Sequence, residues 1–157
     1  MRMTRILNIC LIILFAFFFV GQAETCSCIG SEALQKDVDD SSAVFIGRVM
    51  SIVPRHNHFT RLIHELLDRP YDPELYEVIV ELEIIESFKG VIGRKTTQVM
   101  TPDPTVCCIC GYDFQRKHDY LVFASGPRLE TSICHRTQPV ADALADLKEL
   151  RSGKIKY

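Results

Sequence analysis

The sequence predicts a small, mainly β domain of barrel type, with one short helix near its start and another at its end. Three observations predict it. Tyr76–Phe88 alternates apolar and polar residues, while Ala43–Val53 and His118–Ala124 are runs of β-branched and aromatic side chains. Of seven cysteines, six remain after a leader-like N-terminus, an even set that suits a small exported domain.

The leader reading rests on charge and hydropathy. Met1–Arg5 carries Arg2 and Arg5 and no acid, Ile6–Val20 is apolar apart from Asn8, and Gly21-Gln22-Ala23 sets small residues at −3 and −1 of a cut after Ala23. A run of about 15 apolar residues is short for a bilayer span. Cys26 follows Ala23-Glu24-Thr25, which is no lipobox. Residues 1–23 are therefore read as a signal peptide and 24–157 as one domain of about 130 residues. The expected location is secreted, extracellular or periplasmic, with no membrane contact after the leader is removed. Losing Arg2 and Arg5 takes the formal charge from −2 to about −4. No basic stripe interleaved with aromatics remains, so nucleic acid is not an expected partner.

The elements follow in order. Cys26–Gly30 is an extended entry. Ser31–Asp39 reads as a helix of about two turns, with Ser31 as N-cap and Leu34 and Val38 on one face. Ala43–Val53 is a strand with a bulge at Gly47. Residues 54–75 hold Pro54, Pro70, Pro73, three histidines and a helical fragment, Thr60–Asp68, and form a long excursion between strands. In Tyr76–Phe88, Tyr76, Val78, Val80, Leu82 and Ile84 share one face, and Glu77, Glu81 and Glu83 form the wet one. Lys89-Gly90 turns the chain into Lys95–Thr101, a shorter strand with Val99 inward. Asp103-Pro104 opens a cysteine-rich loop. His118–Ala124 is a strand, and Leu129–Ile133 is a short marginal one. Val140–Leu150 is an amphipathic helix with Leu144, Leu147 and Leu150 inward and Asp142, Asp146 and Lys148 outward. Four or five strands with a helix at each end suit an OB-fold-like, partly open Greek-key barrel; a sandwich is the alternative.

Cysteine placement carries the functional signal. Cys26-Ser27-Cys28 opens the domain, and Cys107, Cys108, Cys110 and Cys134 lie more than seventy residues later. Two residues apart in extended chain, Cys26 and Cys28 point the same way, so each seeks a distant partner; spacing alone does not choose among the connectivities. A bridge closing roughly 80–100 residues stabilises by about 4–5 kcal/mol in the chain-entropy account. Two such bridges would clamp the terminus as a rigid ridge against the Cys107–Gly111 loop.

Cys-x-Cys at the start, then strand, long hairpin and strand, then Cys110-Gly111-Tyr112-Asp113-Phe114, Asp119-Tyr120-Leu121-Val122-Phe123 and Thr131-Ser132-Ile133-Cys134, resembles the N-terminal, netrin-like domain of the tissue inhibitors of metalloproteinases. Cys134-His135-Arg136-Thr137-Gln138-Pro139 running into a helix is similar to the small single-domain microbial members. The resemblance covers nearly all of residues 26–151. It implies the bridges Cys26–Cys110 and Cys28–Cys134. It also implies that Cys26 sits over the catalytic zinc of a target metalloprotease, its α-amino nitrogen and carbonyl oxygen displacing the catalytic water. Ser27 would enter the first primed pocket, and Cys108, Ile109 and Cys110 would complete the ridge with Cys28. A catalytic zinc keeps an open position, and an α-amino pKa near 7.7–8.0 leaves a neutral lone pair accessible.

The chain departs from that pattern in three ways. Glu24-Thr25 precedes Cys26, so chelation requires trimming to Cys26. The third bridge and the C-terminal domain of the family have no counterpart. Cys107 and Cys108 are extra; they would bond each other, bond another chain, or stay reduced.

Other signals are weaker. Cys107-Cys108-x-Cys110 with His135 matches no standard zinc finger, and a labile Cys107–Cys108 pair would be redox-active. His56, His58 and His64 read as a solvated loop. No G-x-S-x-G, H-E-x-x-H, phosphate-loop or dinucleotide fingerprint occurs, so neither an enzyme nor a resident cofactor is expected. The leading expectation is a monomeric, secreted inhibitor of zinc metalloendopeptidases. A non-inhibitory netrin-like binding module is second, and a thiol redox or metal-handling protein third.

Overall fold

The strand β1 (Ala43–Pro54) runs through the middle of the sheet and is buried along its first half on both faces. In a computed structural model of the chain, residues 26, 28, 33–70, 72–106 and 109–157 are described. The expected leader, residues 1–23, and the expected Ser31 cap lie outside them. Five strands among them form one antiparallel sheet in the order β3-β2-β1-β4-β5, with β2 at Glu77–Lys89, β3 at Thr96–Pro102, β4 at Asp119–Ala124 and β5 at Gln138–Pro139. A fourth strand returning to lie beside the first, outside a three-strand meander, is the Greek-key order. The mainly β expectation holds, with three short α-helices among the described residues: α1 (Leu34–Asp40), α2 (His58–Leu66) and α3 (Leu144–Arg151).

β1 forms where β-branched and aromatic side chains are continuous, because both of its faces meet apolar layers. Inward lie Phe45, Val49, Val80, Leu82, Val99 and Val122. On the other face Val44, Ile46, Leu121 and Phe123 meet Leu34 and Val38 of α1 and Leu147 and Leu150 of α3. Gly47 sits at a register shift against β2, as expected of a bulge. A Cβ there would stand 2.9 Å from the Phe45 ring and 3.0 Å from Leu82.

Several boundaries differ for local reasons. The N-cap of α1 is Ala33. Tyr76 ends a 3₁₀ turn, Pro73–Tyr76, instead of opening β2. Pro73 starts that turn, and Asp72 accepts from the Glu74 amide. Leu129–Ile133 is not a strand; only Glu130 bridges, to Ser125 and to Met100. β5 is two residues long and carries a proline, so it has no alternation to find in the sequence. Glu77 is not on a wet face: its carboxylate lies between Arg55 and Arg128 and is 13% exposed.

The C-terminal helix starts late because Val140–Ala143 is a turn, its Ala143 amide bonded to the Pro139 carbonyl at 3.1 Å. Its inner stripe is Ala143, Asp146, Leu147 and Leu150, spaced i, i+3, i+4, i+7. Leu144 therefore points outward at 68% exposure, and Asp146 is buried at 7%, the reverse of the sequence reading. Arg136 is the reason. Its guanidinium grips Asp146 through two bonds of 2.7 and 2.9 Å and reaches Asp37 of α1 at 2.9 Å. Gln138 of β5 donates to the same Asp146 carboxylate at 2.7 Å. One side chain thus ties both helices to the sheet edge.

Removing Arg136 leaves the buried Asp146 carboxylate with Gln138 alone, and removing Asp146 leaves Arg136 with Asp37 alone. Arg136→Ala or Asp146→Ala is expected to destabilise by about 2–3 kcal/mol. Leu144→Ala should stay within about 0.5 kcal/mol. Urea denaturation of the three variants checks the contrast.

Candidate functional site

The site is built on the end of β3. Pro102 closes that strand, and Asp103 opens an Asx turn, its carboxylate accepting from the Thr105 amide at 3.1 Å and the Thr105 hydroxyl at 2.6 Å. The chain then comes back to lay Gly111 directly on the Pro102 backbone. A Cβ on Gly111 would lie 2.0 Å from the Pro102 carbonyl oxygen, so only glycine permits this approach. The Tyr112 amide donates to Thr101 Oγ1 at 2.8 Å, securing the crossing. Beyond it, the rings of Tyr112, Phe114 and Tyr120 pack with centroids 4.7–5.8 Å apart. Burial there pushes the Tyr112 phenol up to about 12.

This crossing positions Cys110. The next turn positions Cys134 beside it: the Ile133 amide donates to the Cys110 carbonyl at 3.2 Å. Ser132 shapes that turn, its hydroxyl accepting from the Cys134 amide at 3.2 Å and sharing a hydrogen bond of 3.0 Å with His135 Nδ1. Burial holds the His135 pKa below its ordinary value, against the opposing pull of Glu130 and Asp37. Under the turn, Thr131 and Thr137 hydroxyls lie 2.8 Å apart. The Phe123 amide donates to Thr137 Oγ1 at 2.9 Å, extending the β4 ladder past the point where β5 ends.

Two disulfides fasten the start of the domain to these turns. Cys26 is joined to Cys110 and Cys28 to Cys134, with Cα separations of 5.7 and 5.0 Å. They are the same pairs that the resemblance implies, and they are consistent with an oxidising compartment. The first spans 84 residues and limits the unfolded chain by about 4–5 kcal/mol. Once it is closed, the second adds only a ring through residues 26–28 and 110–134, contributing about 3–4 kcal/mol more. Cys26, Ile109 and Cys110 are half-buried and Cys28 is exposed. Ser27 and Cys108, expected in the ridge, and Cys107 lie outside the described residues.

The loop is braced from a second side that the sequence reading did not single out. Arg61 of α2 donates to Asp103 at 2.9 Å and to the Leu75 carbonyl at 2.7 Å, with its guanidinium 5.5 Å from the Tyr76 ring centre. Burial raises the Asp103 pKa, but bonds from Thr105 and Arg61 outweigh it and hold the carboxyl below its usual range. The signal available in sequence was the Asp-Pro-Thr turn at 103–105; the arginine 42 residues earlier carried none.

Among the described residues, no group of three or more His, Cys, Asp or Glu is placed to share a metal ion, and no helix is long and apolar enough to cross a membrane. No protein-family profile matches the chain, and no curated protein matches it.

Two outcomes follow. Gly111→Ala must push Pro102 and the Cys110 turn apart and is expected to cost about 2–3 kcal/mol, seen as a lower melting temperature with both bridges still formed. His135 refuses a proton that the unfolded chain accepts below about pH 6.5. Stability from this group is complete above that pH and is lost as pH falls below it. Melting between pH 7.5 and about 5 should therefore slope downward toward acid, and His135→Gln should flatten that slope.

Proposed function

We propose that the protein is an exported inhibitor of zinc metalloendopeptidases, acting through Cys26-Ser27-Cys28 as a wedge. The observation that carries this reading is the double anchorage of Cys26 and Cys28 to the adjacent Cys110 and Cys134 turns. A terminus held at two points two residues apart loses little freedom on entering a cleft, so contact energy is spent on binding. In this reading the ridge is Cys26, Ser27 and Cys28 with Cys108, Ile109 and Cys110, as in the tissue inhibitors of metalloproteinases that the sequence resembles. The fold belongs to the same proposal. We infer an OB-type, partly open barrel, since the Met100 amide of edge strand β3 donates to the Leu129 carbonyl at 3.0 Å. The Thr131 amide donates back to Met100 at 2.8 Å, so the segment after β4 approaches the far edge of the sheet.

The chemistry needs a free α-amino group on Cys26. Its neutral nitrogen and the Cys26 carbonyl oxygen would take the open zinc position and a neighbouring one in place of water. An amide nitrogen has no such lone pair to give. A chain starting at Glu24 would put two residues where the metal must lie, and this favours the second reading, a non-inhibitory module that binds protein through the same barrel.

The two are separated by making both termini and titrating each against a panel of zinc proteases. The form starting at Cys26 is expected to inhibit and the form starting at Glu24 to fail. Inhibition should weaken roughly tenfold per pH unit below about 7.5, because the amine must shed its proton to reach zinc. Equal inhibition by both forms, or none by either, would remove the metal-chelating mechanism.

A further inference from the structure

The two bridges are unequal, and chain entropy is not the reason. With either one in place, the other closes the same ring, through residues 26–28 and 110–134. Access separates them. Cys26 and Cys110 are half-buried, whereas Cys28 and Cys134 are both exposed. The turns account for the difference. Cys110 is backed by Gly111, pressed on the Pro102 backbone, and its own carbonyl accepts from the Ile133 amide. The turn that bears Cys134 projects outward, with Ile133 45% exposed just before it.

The Cys134 turn is also held without its bridge. Ser132 Oγ accepts from the Cys134 amide, the Thr131 amide donates to the Met100 carbonyl, and Thr137 Oγ1 accepts from the Phe123 amide. Arg136 is fixed by Asp37 and Asp146. None of these contacts involves sulfur, so the turn keeps its shape when the link is cut. A disulfide exchanges when a thiolate can approach one of its sulfurs in line with the S–S bond, and exposed bridges are the labile ones.

We propose that Cys28–Cys134 is a selectively reducible bridge: low-molecular-weight thiols open it while Cys26–Cys110 stays closed and the domain stays folded, so that the terminus keeps its Cys26 anchor and loses its Cys28 one. One thiolate attacks Sγ of Cys28 or Cys134, forms a mixed disulfide there and expels the other sulfur as a thiolate. A second thiolate attacks the outer sulfur of the mixed disulfide and frees the first cysteine. Two thiols are oxidised to one disulfide, the bridge takes up two electrons, and two protons pass from the thiols to Cys28 and Cys134. This lability goes beyond the inhibitor reading and does not depend on it. Where the terminus acts as a wedge, opening the bridge removes one of the two restraints that preorganise it.

Thiol mapping without any protease tests it. The disulfide-intact chain is first treated with iodoacetamide to block any free thiol, then exposed to glutathione and labelled with N-ethylmaleimide at intervals. Tandem mass spectrometry of the tryptic peptides locates the label. Cys28 and Cys134 are expected to take it about tenfold faster than Cys26 and Cys110. The species labelled at that pair alone should keep its far-ultraviolet circular dichroism and melt cooperatively at a lower temperature. A double variant, Cys28→Ser with Cys134→Ser, should show the same spectrum and the same lowered melting temperature with Cys26–Cys110 formed. Label reaching Cys26 and Cys110 first or at an equal rate, loss of the folded spectrum once Cys28 and Cys134 are labelled, or a double variant that does not fold overturns the proposal.

Discussion

The close approach of two backbones at Gly111 and Pro102 is the constraint on which the site depends. Cys110 can stand next to Cys134 only if the returning chain lies in van der Waals contact with the end of β3, and no side chain fits between them. From that crossing the order of the site follows outward. Tyr112 is tied to Thr101, the Ile133 amide is tied to Cys110, and the two sulfur bridges then hold Cys26 and Cys28. Each bridge is long in sequence, yet each ends on a turn already rigid through short-range bonds. The covalent links thus tie Cys26 and Cys28 to turns that the sheet holds in order.

The sheet supplies that order because its centre is closed off on both sides. One layer of β-branched and aromatic side chains fills the inner face, and α1 and α3 seal the outer one. Sealing with helices this short, seven and eight residues, needs more than apolar contact. Arg136 provides it by pairing with a carboxylate from each helix. That arginine lies two residues from Cys134, so the helix clamp and the second disulfide share one turn of chain. The loop bearing Cys110 is braced in parallel by Arg61 and Asp103, which draw in the long excursion between β1 and β2. Two arginines, Arg136 and Arg61, therefore brace the turns that carry Cys134 and Cys110.

The same excursion shows how attachment and presentation are divided. Its polar groups bind it to the domain, and its apolar groups are left facing out. The two core layers close without the α2 stripe, which is left exposed.

Much of this was legible in the residues alone. Period-two alternation located β2, continuous β-branched runs located β1 and β4, and Gly47 marked a bulge, because each is a local consequence of side-chain geometry on a pleated strand. Leu34, Val38, Leu147 and Leu150 were readable as buried for the same reason on helices. What the sequence did not contain was any local trace of long-range polar pairing. Asp146 and Glu77 looked solvent-facing because a carboxylate on an amphipathic element normally is. They are withdrawn from water only because Arg136, Arg55 and Arg128 arrive from elsewhere in the chain. The requirement for glycine at 111, the two-residue β5 and the outward turn of α2 were likewise decided in three dimensions. The residues by themselves determined which segments would be strands and that the cysteines would seek distant partners. Which backbones touch, and which charges meet, was settled only when the sheet brought them together.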